Sequence, residues 1–148
     1  MTNARFIKIG ADGARLPSDA PEWEAVLDTT TDLMWSAQET KEMPWAECVE
    51  AAPALRDAGF SDWRLPTRKE LLTLVDDTRA GPAIDTAFFP DCKSDWYWTS
   101  TPYASSPSGC AWVVNFNNGY SSWYGQGGEG FVRAVRSSQS LGAGGDAS

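Results

Sequence analysis

Eight tryptophans in a chain of 148 residues constrain the fold more than any other feature. An indole is large, flat and carries one N–H donor. Buried, it needs a close-packed pocket and an acceptor; exposed, it offers a flat apolar face to a ligand. Spread from Trp23 to Trp123, these rings predict a stiff core, an aromatic surface, or both. The length suits one domain and is enough to bury a core without metal or disulfide staples.

Charge narrows the function. Lys and Arg number 12 against 20 Asp and Glu, a net charge of −8. Such a surface repels phosphate backbones, and no basic cluster offsets it, so neither nucleic acid nor an anionic membrane is an expected partner. The chain has no His, which removes the commonest general base and a common zinc ligand. Residues 1–10 carry no long apolar stretch, and no segment approaches the roughly 20 apolar residues of a membrane span. Cytoplasmic synthesis without a signal peptide or membrane insertion is the expectation. The three cysteines, Cys48, Cys92 and Cys110, form no Cys-x-x-Cys pair. A Cys92–Cys110 bridge and three reduced thiols both remain open.

Local patterns predict short elements. Strands are expected over 5–9, 23–28, 33–35, 96–101, 110–117, 120–124 and 131–136. Pro44 starts a helical stripe of Trp45, Cys48, Val49, Ala52 and Leu55, which Pro53 should kink and Gly59 should end. Thr67 and Glu70 fit a capping box ahead of the stripe Leu71, Leu72, Leu74 and Val75. Ile84, Phe88 and Phe89 are expected to plug the core from a loop. Asn118-Gly119 predicts a type I′ hairpin turn. Strands, two helices and then antiparallel strands make an α+β pattern. One domain is expected over 1–136, with a disordered Ser/Gly/Ala-rich tail over 137–148.

The runs Thr31-Asp32-Leu33-Met34-Trp35, Asp62-Trp63-Arg64-Leu65-Pro66-Thr67 with Glu70-Leu71, Trp98-Thr99-Ser100-Thr101, Trp112-Val113-Val114-Asn115-Phe116 and Val132-Arg133-Ala134-Val135-Arg136 occur in an order that resembles the Lcl C-terminal domain family. That family is named for the terminal domain of a bacterial collagen-like adhesin. The resemblance covers roughly residues 23–136 and implies a C-type-lectin-like fold, two helices packed on short antiparallel sheets with long loops. The fold is akin to formylglycine-generating enzymes and to the variable proteins of diversity-generating retroelements. Relatives sit in adhesins, lipoproteins and phage tail proteins, and the adhesin member binds sulfated polysaccharide. The resemblance therefore implies adhesion or host recognition, with a virion or tail location among the settings. Two positions depart from the pattern. Asp32 stands where relatives often carry Gly, and it still tolerates a left-handed turn. Ala134 stands where relatives often carry a Cys able to pair with the first-helix Cys, so no bridge to Cys48 is expected.

Candidate residues divide into core and site. Trp63, Leu65, Trp98, Trp112 and Phe116 read as core, and Arg64 as a tie between its loop and the helices. Asn115, Asn117, Asn118, Tyr120, Ser122, Trp123, Tyr124 and Gln126 crowd amides, hydroxyls and rings onto one hairpin and its following loop, with Tyr97 and Tyr103 bordering it. Such a mixture combines stacking area with adaptable hydrogen bonding, as in antibody paratopes. A plain solvated hairpin is also rich in Asn and Ser. The binding reading predicts a ligand-recognition module for a cell-surface glycan or a protein receptor. A different class of function, a structural or assembly subunit in a homo-oligomer or among virion partner chains, would use the same surface for protein contact. A third, a divergent formylglycine-generating-type enzyme, lacks a Cys after Cys110, and no catalytic residues stand out. No enzyme activity and no cofactor are expected. Asp76, Asp77, Asp85, Asp91 and Asp95 leave calcium open, without any regular ligand spacing.

Overall fold

A computed structural model describes residues 5–38 and 40–137. Nine strands and two α-helices make an α+β architecture. Strands β1 (Phe6–Ile9), β2 (Ala25–Asp28), β3 (Leu33–Ser36) and β9 (Val135–Ser137) form one antiparallel sheet in the order β1-β2-β3-β9. The second sheet is β5 (Trp96–Pro102), β6 (Cys110–Asn115) and β7 (Tyr120–Gly125), with β7 at the edge. A two-residue pair, β4 (Met43–Pro44) with β8 (Glu129–Gly130), was not foreseen in the glycine-rich loop. Ser137, assigned to the tail, pairs with Leu33; the rest of the expected tail lies outside the described residues.

Alternate residues of one strand point to opposite faces, and in the inner strands both faces are dry. Leu27, Met34, Trp98, Val113 and Ala134 join an apolar cluster with Cys48 and Ala52. Their neighbours Val26, Trp35, Tyr97, Val114 and Val135 join a second cluster with Leu71 and Leu74. The sheets are thus sandwiched between α1 (Trp45–Ala51) and α2 (Arg68–Leu72). Ile84 and Phe89 plug the second cluster from a loop as expected, and Phe88 packs half-buried beside them.

The first helix, expected to end at Gly59, is cut short. Pro44 is the N-cap of α1, which stops at Ala51; a 3-10 turn carries Pro53, because proline cannot continue the hydrogen-bond ladder. Val49, placed in the apolar stripe, is 38% exposed, about 100° round the helix from buried Cys48. At α2 the capping box is complete: Glu70 N–H donates to Thr67 Oγ1 at 3.1 Å, and Thr67 N–H donates to Glu70 Oε1 at 2.9 Å. Asp32 takes φ 59, the left-handed turn foreseen for it. The last strand is shorter than expected. Over 131–134 the chain makes scattered bonds instead of a ladder, such as Ser36 N–H to Ala134 O at 2.9 Å.

The β6–β7 turn corrects the type I′ expectation. That turn needs positive φ at both central residues, and only Gly119 has it, at φ 83. The loop has four residues, closed by Gly119 N–H to Asn115 O at 2.7 Å. Phe116 causes the difference. Its ring is buried and its carbonyl accepts from Ala83 N–H, which draws it out of the ladder. Asn115 Oδ1 and Asn118 Oδ1 then accept from Asn117 N–H and Tyr120 N–H, so the amides shape the loop. A Cβ on Gly119 would lie 2.6 Å from Val75 Cγ1. Gly119→Ala combines that clash with a left-handed φ and should cost about 2–4 kcal/mol, read as a lower urea midpoint at unchanged slope.

Candidate functional site

The hairpin residues occupy two opposite faces of the second sheet. In β7, Ser121 and Trp123 point one way, and Tyr120, Ser122 and Tyr124 the other. On the first face Trp123 lies directly across from Trp112. Its ring stacks on Tyr103, centroids 4.8 Å apart and planes 10° from parallel. Trp112 meets both rings edge-on, at 5.5 Å from Tyr103 and 6.0 Å from Trp123. The Arg68 guanidinium sits 3.7 Å from the Trp112 ring centroid, and its Nη2 donates to Ser121 Oγ at 3.0 Å. Tyr103 and Trp112 thus brace one exposed indole, 52% accessible, and Arg68, bonded to Ser121, backs Trp112. Trp112 is half-buried rather than core, because its face is covered only by Tyr103, Trp123 and Arg68.

On the opposite face Tyr124 stacks on Trp96 at 6.0 Å and leans on Trp98 at 5.6 Å. A Cβ on Gly128 would come within 2.6 Å of the Tyr124 ring, so the glycine loop closes tightly over it. Tyr120, 71% exposed, stands free at the turn with Asn117 and Asn118. Asn115 and Ser122 are half-buried, and the Gln126 amide is spent on Pro107 O and Cys110 O. Tyr97 does not border the surface. It is fully buried, its ring packed on Phe116 and Phe131 and its hydroxyl accepting from Lys93 N–H at 2.7 Å. Sequence reading missed Arg68, for which the first turn of a capped helix carries no signal of function.

A family model, the Lcl C-terminal domain, matches residues 24–136. The chain belongs to that family. No curated protein matches it as a relative. In this Lcl C-terminal domain the Asp-Trp-Arg-Leu-Pro run is structural. Trp63 and Leu65 are buried, and Trp63 Nε1 donates to Asp57 O at 3.1 Å. Arg64 grips Glu70 with two bonds of 2.7 and 2.8 Å, while Asp62 pairs with Arg136. The first pair anchors the helix that presents Arg68. Burial works to raise the Glu70 carboxyl, but the Arg64 hydrogen bond, the Thr67 N–H and the Arg64 charge outweigh it, and the group titrates below the usual 4.5. Its contribution to stability is therefore full above about pH 4.5 and lost as pH falls through the lowered value. Urea midpoints of Glu70→Gln between pH 7 and pH 3 should be lower at pH 7 and fall less steeply in acid than those of the native chain.

Cys48, Cys92 and Cys110 form no disulfide. Burial, with a smaller push from Glu47, raises the Cys48 thiol to about 12, far from a reactive thiolate. Asp76 accepts from Thr78 and Arg79, Asp85 from Ala87 N–H and Asp95 from Trp96 N–H. Among the described residues no three acidic or cysteine side chains gather to hold a metal. A groove of about 700 Å³, lined by residues that include Asp12, Trp23, Glu24 and Gln38, shares no residue with the hairpin. No helix among the described residues is long and apolar enough to cross a membrane.

Proposed function

We propose that this chain is a non-enzymatic recognition module of C-type-lectin-like fold, binding a cell-surface glycan or a protein receptor through the Trp123 face of its edge hairpin. One observation carries the reading: Trp123 is half exposed yet braced by Tyr103 and Trp112, with Arg68 in turn over Trp112. A merely solvated hairpin needs no braced indole. A pre-oriented ring loses little entropy when a sugar face or an apolar side chain stacks on it. Ser121 and Arg68 stand beside it as hydroxyl and cationic donors, and Tyr120 with Asn117 and Asn118 extends the surface past the turn. No cofactor enters the proposal.

The two faces make the test specific. A glycan-array and whole-cell binding screen should compare the native chain with Trp123→Ala and Tyr124→Ala, each checked for folding by near-UV circular dichroism. Loss of a central aromatic anchor costs about 2 kcal/mol or more, at least roughly 30-fold in affinity. Trp123→Ala should lose that much and Tyr124→Ala far less. Equal binding by folded Trp123→Ala would reject this face; no binding by the native chain to any glycan or cell would reject the proposal.

A further inference from the structure

Strand β7 is an edge of unusual composition. Its six residues, Tyr-Ser-Ser-Trp-Tyr-Gly, hold no charge and no proline, in a chain of net charge −8. Edge strands are ordinarily blunted by lysine, proline or a bulge, because their outward N–H and C=O groups invite another strand. Here the β6–β7 register runs unbroken from Cys110↔Gly125 to Asn115↔Tyr120. Apart from Tyr120 N–H, which goes to Asn118 Oδ1, no backbone hydrogen bond from outside that ladder reaches Tyr120–Tyr124 among the described residues. The opposite edge of the sheet is covered, since Tyr97 bridges Phe131.

We infer that β7 pairs antiparallel with β7 of a second copy of this chain, about a two-fold axis at Ser122, joining two three-stranded sheets into one of six. Self-complementarity selects a second copy as the occupant. Residues directly opposite in an antiparallel pair share a face, so a two-fold axis normal to the sheet must pass through a residue. Centred on Ser122, it pairs the five residues from Tyr120 to Tyr124 with their copies. Tyr120 then faces Tyr124 of the second copy, Ser121 faces Trp123, and Ser122 faces itself. Centred on Ser121 it shortens the ladder, and centred on Ser121 or Trp123 it sets tyrosine against serine. Cross-strand aromatic pairs favour the first register, and an uncharged seam spares two anionic chains a direct charge contact. Five residues a side bury too little area for a tight dimer, so the association is weak and concentration-dependent. Added salt screens the repulsion between the two negative chains and strengthens it. Pairing uses the strand edge and leaves both side-chain faces outward, so the inference stands apart from the recognition proposal.

Sedimentation velocity on the full chain without ligand, from micromolar to near-millimolar concentration and at two salt levels, tests it. The dimer fraction should rise with both. Ser122→Lys sets like charges against each other at the axis and should raise the dimer Kd at least about tenfold with near-UV circular dichroism unchanged. Opposed Cα atoms in such a pair lie about 4.5–5.5 Å apart, within disulfide range. In a Cys110→Ser background, Ser122→Cys should therefore cross-link into a dimer under mild oxidant far faster than Ser121→Cys. A chain that stays monomeric at the highest concentration overturns the inference, whether the edge is bare or taken by another segment of the same chain. So does a dimer that folded Ser122→Lys leaves intact, or cross-linking that ignores the position of the thiol. Failure of ligand binding with the dimer intact would count against the recognition proposal alone.

Discussion

Trp98→Ala should cost about 3–5 kcal/mol and lower Tm by about 10–20 °C. The indole is fully buried in the cluster beneath α1. Its Nε1 donates to Met43 O at 3.0 Å, pinning the β4–β8 pair, and its backbone N–H donates to Phe131 O. Truncation removes the ring's contacts, leaves a cavity the surrounding sheet cannot fill, and deprives Met43 O of its donor. Gly130 is fitted to this ring, since a Cβ there would lie 3.0 Å from Nε1. Trp98→Phe separates the effects. It keeps most of the apolar volume and loses the hydrogen bond, so a cost near 1–2 kcal/mol is expected. Thermal and urea unfolding would measure both. A cost below 1 kcal/mol for Trp98→Ala would mean that the two-cluster core is not what holds the sheets together. Trp123→Ala, by contrast, removes a half-exposed ring and should leave Tm within a few degrees of the native value.

That contrast marks what the tryptophan count could and could not tell. Both outcomes it allowed, a stiff core and an aromatic surface, occur in the one domain. Trp35, Trp63 and Trp98 are fully buried, while Trp123 is displayed. Elements were legible where a local rule acts alone. The Thr67–Glu70 capping box, the Pro53 break and the left-handed Asp32 are each set by one or two residues and their immediate backbone. The α+β order followed from the succession of such patterns, and the family resemblance from motif runs in order, which the Lcl C-terminal domain model matches over residues 24–136.

What stayed hidden depends on which surfaces meet. Tyr97 looks like a surface tyrosine beside two tryptophans because alternation assigns it to the face opposite theirs. That face is dry only because α2 and the 84–89 loop cover it. Trp112 fails the other way: it sits on the same face as buried Val114, but its cover is Arg68, Tyr103 and Trp123, which leave it half-buried. The type I′ turn was lost to Phe116, whose burial outweighs the local preference of Asn-Gly. The split of the hairpin into two faces was legible, since Ser121 and Trp123 alternate with Tyr120, Ser122 and Tyr124. Reading the residues as one crowded patch obscured it. Arg68 was not legible, because only the fold brings a helix start over Trp112.

Arg133 carries the second large effect, and it tests how a charge is kept in the core. The side chain is 1% exposed. Nη1 donates to Ser36 O at 2.8 Å and to Ala37 O at 2.9 Å, and the guanidinium lies 4.9 Å from the Phe89 ring centroid. It therefore ties the end of β3, the last segment of the chain and the 84–89 loop together. Hydrogen bonds from a charged donor contribute about 1.5–3 kcal/mol each, so Arg133→Ala should cost about 3–5 kcal/mol and lower the urea midpoint accordingly. Arg133→Met and Arg133→Lys divide the causes. Methionine fills most of the space without a donor; lysine keeps the charge but cannot reproduce the planar fork. If the fork matters most, methionine is nearly as costly as alanine and lysine falls between them and the native chain. If Arg133→Met unfolds with the native midpoint, the buried cation contributes packing alone, and the tie between β3 and the chain's last segment rests on the Trp35↔Val135 ladder instead.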